Sequence, residues 1–373
     1  MVVTVNYRLN AFGFLAHPEL TGQQPDAPTN FGSLDQQAGI RWVLRNIQAF
    51  GGDPDNITIA GQSAGGGSVL SQMASPGNAG LFQKAVVMSG MIRSPYGADP
   101  IVFHQPLSEA EQNGKDFFAF LGVSTLEEAR ALDALYIRDK YAQYAQEAPR
   151  MTTVIDHQFC VDEPLKLILE GKCVDVSVMA GNTRDEFPGF LPIGEGQSLE
   201  EAARSALGSY SEAFLKMPEA VQPDADGGYG RVNGIECTIK GIFGRRKDSG
   251  SAQNYYYRFE PDIPGWDQPG CFHSVDLWFF FETLAKCWRP FTGKHYDLAR
   301  QMCNYWANFI KTGDPNGADA DGTPMPKWAP YTTHSPAEMV FTTDGAMPVQ
   351  GQESPFVRLI SDVIIDRIRE DAF

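Results

Sequence analysis

The sequence predicts an α/β fold built on a largely parallel sheet. Three observations carry this reading. Short apolar or β-branched runs alternate with amphipathic helical stretches along most of the 373 residues. Turn residues such as Gly51-Gly52-Asp53-Pro54 separate them. No internal repeat and no low-complexity tract breaks the alternation. Apolar residues make up 43% of the chain and charged residues 20%, an ordinary globular balance that excludes disorder, a collagen repeat and a coiled coil.

The elements follow in order. Residues 2–7 form a β-branched run that reads as a buried strand. Chain ends usually fray, so a chain opening inside a core strand implies that Met1 is internal and upstream sequence is missing. Leu34, Ala38, Val43, Leu44 and Ile47 recur at helical spacing and predict a helix over about 33–49. Gly51-Gly52-Asp53-Pro54 stops it. Residues 57–60 are a short apolar strand, 68–73 begin the next helix, and 84–88 form the next strand. Residues 107–150 carry charged helical periodicity. Residues 174–180 and 255–259 are further strands, and 188–234 read as loops and short helices. Residues 298–311 and 357–369 are amphipathic helices.

Lys and Arg number 30 and Asp and Glu 46, a net charge of −16. Nucleic-acid binding is driven by neutralising phosphates, so so acidic a chain is a poor candidate for it. No apolar stretch reaches the roughly 18 residues of a membrane span. The six cysteines lie in no CxxC pair and no HExxH is present, so the strong zinc patterns are absent and no metal or cofactor is expected. The cysteines read as mostly buried free thiols. Asn56-Ile57-Thr58 matches a glycosylation acceptor by chance, at the start of a strand. The stretch from Asp314 to Gly322 has the look of a calcium loop, but Ala318 stands where a ligand is needed, so it reads as a solvated loop.

The sharpest feature is Gly61-Gln62-Ser63-Ala64-Gly65, a G-x-S-x-G between a strand and a helix. That context is the one a nucleophile elbow needs. A strained serine backbone makes the Ser63 hydroxyl project, and a bulky residue at either flanking glycine is expected to collide with its surroundings. The Ala64 N–H then points to where an oxyanion would form. A serine hydroxyl needs a base, and the base needs an orienting carboxylate. Asp185 and Glu186 both lie just past a buried strand, where a parallel sheet presents functional groups. Of six histidines, His273, His295 and His334 come late enough in the chain to serve.

The stretch from Phe50 to Gly65, Phe-Gly-Gly-Asp-Pro-Asp-Asn-Ile-Thr-Ile-Ala-Gly-Gln-Ser-Ala-Gly, resembles the type-B carboxylesterase signature shared with the cholinesterases. Asn30-Phe31-Gly32-Ser33-Leu34-Asp35-Gln36-Gln37, Leu81-Phe82-Gln83-Lys84-Ala85 and Gly313-Asp314-Pro315-Asn316 extend the resemblance over nearly the whole chain. It implies a single α/β-hydrolase domain over 1–373, with insertions at 100–170 and 188–250 covering the active site. It implies Glu186 as the triad acid, in the turn from Gly181 to Phe187, and His273 as the base, with Asp276 three positions on. His295 then falls at an exposed helix start and His334 in a polar tail loop. Ser89 is implied beside Glu186; the run Trp278, Phe279, Phe280 and Phe281 reads as core more readily than as a wall of the acyl pocket.

The resemblance implies acyl transfer on a small-molecule ester. Ser63 attacks the carbonyl, His273 moves the proton, and Glu186 orients the imidazole. It also exposes departures. The family's glycine-rich oxyanion loop, typically opening His-Gly-Gly, is not among these residues. It would lie upstream of Met1 with the first strands, one of which would sit between 2–7 and 57–60. One oxyanion donor is worth about 2.7–4 kcal/mol in turnover, so losing the loop would cost on the order of 10⁴-fold or more. Gln62 stands where the family often has Glu, and Asn10 replaces a common Gly. Two readings follow: a serine carboxylesterase, or a non-catalytic relative like the adhesion proteins that share the fold.

Overall fold

The computed structural model describes residues 1–97, 104–246, 252–332, 334–351 and 353–370. The insertion limits expected at 100 and 250, and residues 371–373 of the expected domain, lie outside the described residues.

Six strands form the main sheet: β1 (Thr58–Gln62), β2 (Lys84–Met88), β3 (Ser177–Thr183), β4 (Asn254–Phe259), β5 (Ala337–Thr342) and β6 (Gly345–Gln350). They lie in that order across the sheet. The first five are parallel, and β6 returns antiparallel to β5. Parallel neighbours need long crossovers, and helices supply them. The main helices are α1 (Phe31–Asn46), α2 (Ala64–Ala74), α3 (Gly234–Arg245), α4 (Gly293–Thr312) and α5 (Pro355–Glu370).

Successive strand residues point to opposite faces, and each face has its own core. Val87, Val178, Ala180 and Tyr256 pack with α2, α3 and α5. Val86, Met179, Tyr255, Tyr257 and Phe341 pack with α4. Helices therefore cover both faces, as expected. In the second core the fully buried Trp328 meets Tyr255, Tyr257, Tyr305 and Phe341 edge-on, with ring centroids 5.6–6.5 Å apart.

Three points of the sequence reading need correction. Residues 2–7 are not a strand; they run irregularly with Val2 75% exposed. β propensity makes no strand without a partner. Among the described residues β1 pairs only with β2 and is the sheet's edge. The segment is held by α1 instead: Val5 packs on Gly39, and Arg8 makes a fork to Asp35 at 2.7 Å on each oxygen. Conversely, no strand was predicted where β5 and β6 lie. β5 is buried on both faces and shows no period-2 signal, and Pro348 in β6 is tolerated because β6 is an edge. His295 is buried, not exposed. It accepts from Thr292 N at 3.1 Å and donates Nε2–H to the Asp262 carbonyl at 3.0 Å, closing the start of α4. Phe279 and Phe280 lie in the second core, and Trp278 packs on Phe272 and Phe291, so that aromatic run is mostly core.

Asn10 takes φ 54°, the left-handed conformation that its side chain tolerates. All six cysteines are free, with Cys160, Cys237 and Cys271 buried. In the aspartate-rich loop Asp319 is held by Arg300 at 3.2 Å and Asn304 at 2.6 Å. No helix of the described residues is long and apolar enough to cross a membrane.

Trp328 anchors the second core without a hydrogen bond from its indole. Trp328→Ala should therefore cost about 3–5 kcal/mol through lost burial and a residual cavity. Chemical denaturation measures this; a loss below about 1 kcal/mol would contradict the packing described.

Candidate active site

Backbone bonds carry the sheet's ladder past its strands. Ser63 N donates to Met88 O at 2.8 Å, Ser89 N to Gly181 O at 2.8 Å, and Arg184 N to Phe259 O at 2.9 Å. Asp185 N then donates to Cys271 O at 3.1 Å, beside a bridge between Asp185 and Phe272. Ser63, Ser89, Glu186 and His273 thus all sit beyond the C-terminal ends of adjacent strands, where a parallel sheet opens its crevice.

Ser63 has φ 54° and ψ −122°, a conformation that costs a non-glycine residue about 1–3 kcal/mol. The packing around it explains how it is held. A Cβ on Gly61 would stand 2.1 Å from Gly65 O, and one on Gly66 would stand 2.8 Å from Gly90 Cα. Gly65 differs from expectation: a Cβ there meets nothing within 4 Å. The second steric requirement falls on Gly66, because the first turn of α2 rotates Gly65 away from β2. Ala64, the first residue of α2, is exposed, at a position where helix amides lack an intrahelical acceptor.

The Glu186 side chain is wholly buried. Its Oε1 accepts from Ser89 Oγ at 2.5 Å and from Thr183 N at 3.0 Å. Its Oε2 lies 2.6 Å from His273 Nδ1. A buried carboxylate facing Nδ1 fixes the proton there and leaves Nε2 as an acceptor. Gln62 fills that acceptor, its amide donating at 3.1 Å. Among the described residues Ser63 Oγ has no hydrogen-bond partner. The structure therefore brings Glu186, His273 and Ser89 together. It leaves the Ser63 hydroxyl unengaged, with Gln62 on the imidazole nitrogen. The rival Asp185 faces outward, paired with Arg184 at 3.0 Å and accepting from Cys271 N at 2.6 Å.

Three neighbours were given no role in the sequence reading. Gln62 was noted only as a departure, although its place before Ser63 was the signal. Asp276 is fully buried, accepts from Tyr257 Oη at 2.8 Å, and has one oxygen without a partner. Burial pushes its carboxyl up to about 6 against the pull of Tyr257, and the Glu186 charge adds to the rise. Phe187 lies against His273 with ring centroids 4.8 Å apart.

A family model described as the carboxylesterase family matches residues 1–225 and 235–355. The bile salt-activated lipase of Rattus norvegicus is 31% identical over 374 residues, covering 90% of this chain and 59% of that protein. The para-nitrobenzyl esterase of Bacillus subtilis is 32% identical over 337 residues, covering 85% of this chain and 65% of that protein. The cholinesterase of Mus musculus is 28% identical, covering 92% of this chain and 61% of that protein. This chain thus spans about three-fifths of the length of such relatives. A solved PNB esterase superposes with a TM-score of 0.70 at 26% identity, over 95% of this chain and 73% of that one. The architecture is the α/β-hydrolase fold.

Asp276 sets a pH dependence. Folded, it holds its proton up to about 6, against 3.8 for an ordinary aspartate. The folded state binds more protons between these values, so this group's favourable contribution is full below about pH 4 and is lost as pH rises through about 6. Asp276→Asn removes the effect. Its unfolding free energy relative to the parent should improve between about pH 4.5 and about pH 7.5, measured by urea denaturation at both. A pH-independent difference would mean that Asp276 ionises normally.

Proposed function

The chain belongs to the carboxylesterase family, and we propose that it hydrolyses small carboxylic esters with Ser63, Glu186 and His273 as a triad. The observation that carries this is the 2.6 Å contact between the buried Glu186 carboxylate and His273 Nδ1, at the sheet end where the strained Ser63 projects. The relatives' names, a lipase and an esterase, support the reaction class.

The chemistry runs in two steps. Ser63 Oγ attacks the ester carbonyl as His273 Nε2 takes its proton. Glu186 stabilises the imidazolium without taking the proton. The Ala64 amide faces the developing oxyanion. The imidazolium then protonates the leaving alcohol, and water, activated by the same nitrogen, releases the acid. Ser89 Oγ and Thr183 N hold the Glu186 side chain in orientation. Gln62 must yield Nε2 to the Ser63 hydroxyl before attack. The segments at about 100–170 and 188–250 are read as insertions over this site.

One observation favours the non-catalytic reading: Gln62, not Ser63, occupies His273 Nε2. A fluorophosphonate probe read by intact mass separates the two. An active triad gives one adduct on the parent and none on Ser63→Ala or His273→Gln. A folded parent that takes no adduct would favour the non-catalytic relative.

A further inference from the structure

Phe187 follows the most protected carboxylate of the site, yet it is 65% exposed. A large aromatic side chain left in water beside a reactive pair calls for a reason. Loop mobility is a poor one, because the backbone is tied on both sides. Before it, Asp185 bonds to Cys271. After it, Pro188 and Gly189 pair with Val232 and Asn233, and Gly189 abuts Pro95 so closely that a Cβ would stand 2.3 Å from that ring. The Phe187 ring is thus aimed by the fold, tilted 48° against the His273 imidazole.

We propose that Phe187 selects the alcohol half of the ester and favours alcohols that carry a flat aromatic group. The inference rests on the triad reading above. His273 Nε2 must come within about 3 Å of the leaving oxygen to protonate it. The carbon bonded to that oxygen belongs to the alcohol. The acyl carbon is bonded instead to Ser63 Oγ, with its oxyanion at the Ala64 amide. A ring tilted against the imidazole therefore meets the alcohol half first. Further aromatic side chains lie along the segment that carries His273. Phe272, next to His273, lies under the Arg289 guanidinium at 5.7 Å, and the same guanidinium covers the exposed Trp288 at 4.6 Å. Asp267 balances the Arg289 charge at 2.9 Å, which leaves this wall suited to a neutral aromatic group.

Steady-state kinetics on four esters tests this: benzyl acetate, n-butyl acetate, ethyl phenylacetate and ethyl hexanoate. The first pair varies the alcohol, and the second varies the acid. Phe187→Ala should lower kcat/KM for benzyl acetate about three- to tenfold, mainly through KM, as expected for one lost aromatic contact. The other three esters should change less than about twofold, and Phe187→Tyr should restore benzyl acetate. An equal loss on all four would assign Phe187 a structural role and overturn the proposal. A loss confined to ethyl phenylacetate would place the ring on the acyl side and overturn it too. A folded parent that hydrolyses none of the esters would sink the triad reading and this inference with it. A parent that hydrolyses them without the benzyl-specific loss would sink only the inference.

Discussion

The site depends on satisfying one buried charge. A carboxylate withdrawn from water is costly unless hydrogen bonds replace its hydration. Glu186 receives three: a hydroxyl from the end of β2, an amide from the end of β3, and an imidazole N–H from the loop after β4. Each donor comes from a different strand end. Their convergence is possible because the ladder bonds continue past the strands and hold these ends in register. If one of the three were to move, the charge would lose a partner inside the protein, so the geometry is stiff as a set. The same stiffness fixes the imidazole tautomer, and with it the direction in which Nε2 can accept a proton.

The Ser63 position is built by a different constraint. Ser63 is held in a strained conformation by close backbone packing, not by a charge. Gly61 against Gly65, and Gly66 against Gly90, leave no space for a Cβ. Ser89 also carries a positive φ, 46°, at the equivalent point of the next strand. Two successive strands therefore end in left-handed serines, one projecting toward the crevice and the other bonded to Glu186. The strain at each is offset by the strand ladder behind it and the α2 packing beneath it.

Local signals made most of this legible in the sequence. The alternation of strands and helices survives because both cores are continuous, and the elbow shows because glycine is needed where backbones touch. The acid was less legible: Asp185 and Glu186 are adjacent and chemically alike, and their separation into a surface ion pair and a buried carboxylate depends on the bridge between Asp185 and Phe272, which lies 87 residues away in sequence. His295 was misjudged, and the run from Trp278 to Phe281 was left between core and pocket wall, for one reason. Whether a residue at a helix start or in an aromatic run is buried is set by which element packs on it, and no short window contains that. Residues 2–7 failed in the opposite sense. Their β propensity is real, but a strand exists only when another backbone pairs with it. β5 was missed because burial on both faces erases alternation.

The two nitrogens of His273 place the site between a resting and a reacting arrangement. Nδ1 is committed to Glu186 by charge and burial, so its bond persists through either state. Nε2 is shared between two candidates that approach from neighbouring residues of one chain segment, the Gln62 amide and the Ser63 hydroxyl. A neutral amide donating to a neutral imidazole is an ordinary hydrogen bond, worth about 0.5–1.5 kcal/mol net. On the proposed triad reading, an ester whose carbonyl is seated against the Ala64 amide would draw the Ser63 oxygen toward it, and the proton would then leave toward Nε2. The small energy of the Gln62 bond can be exchanged without disturbing Glu186, Ser89 or the strand ends. A carboxylate at position 62 could not donate to Nε2 in this way.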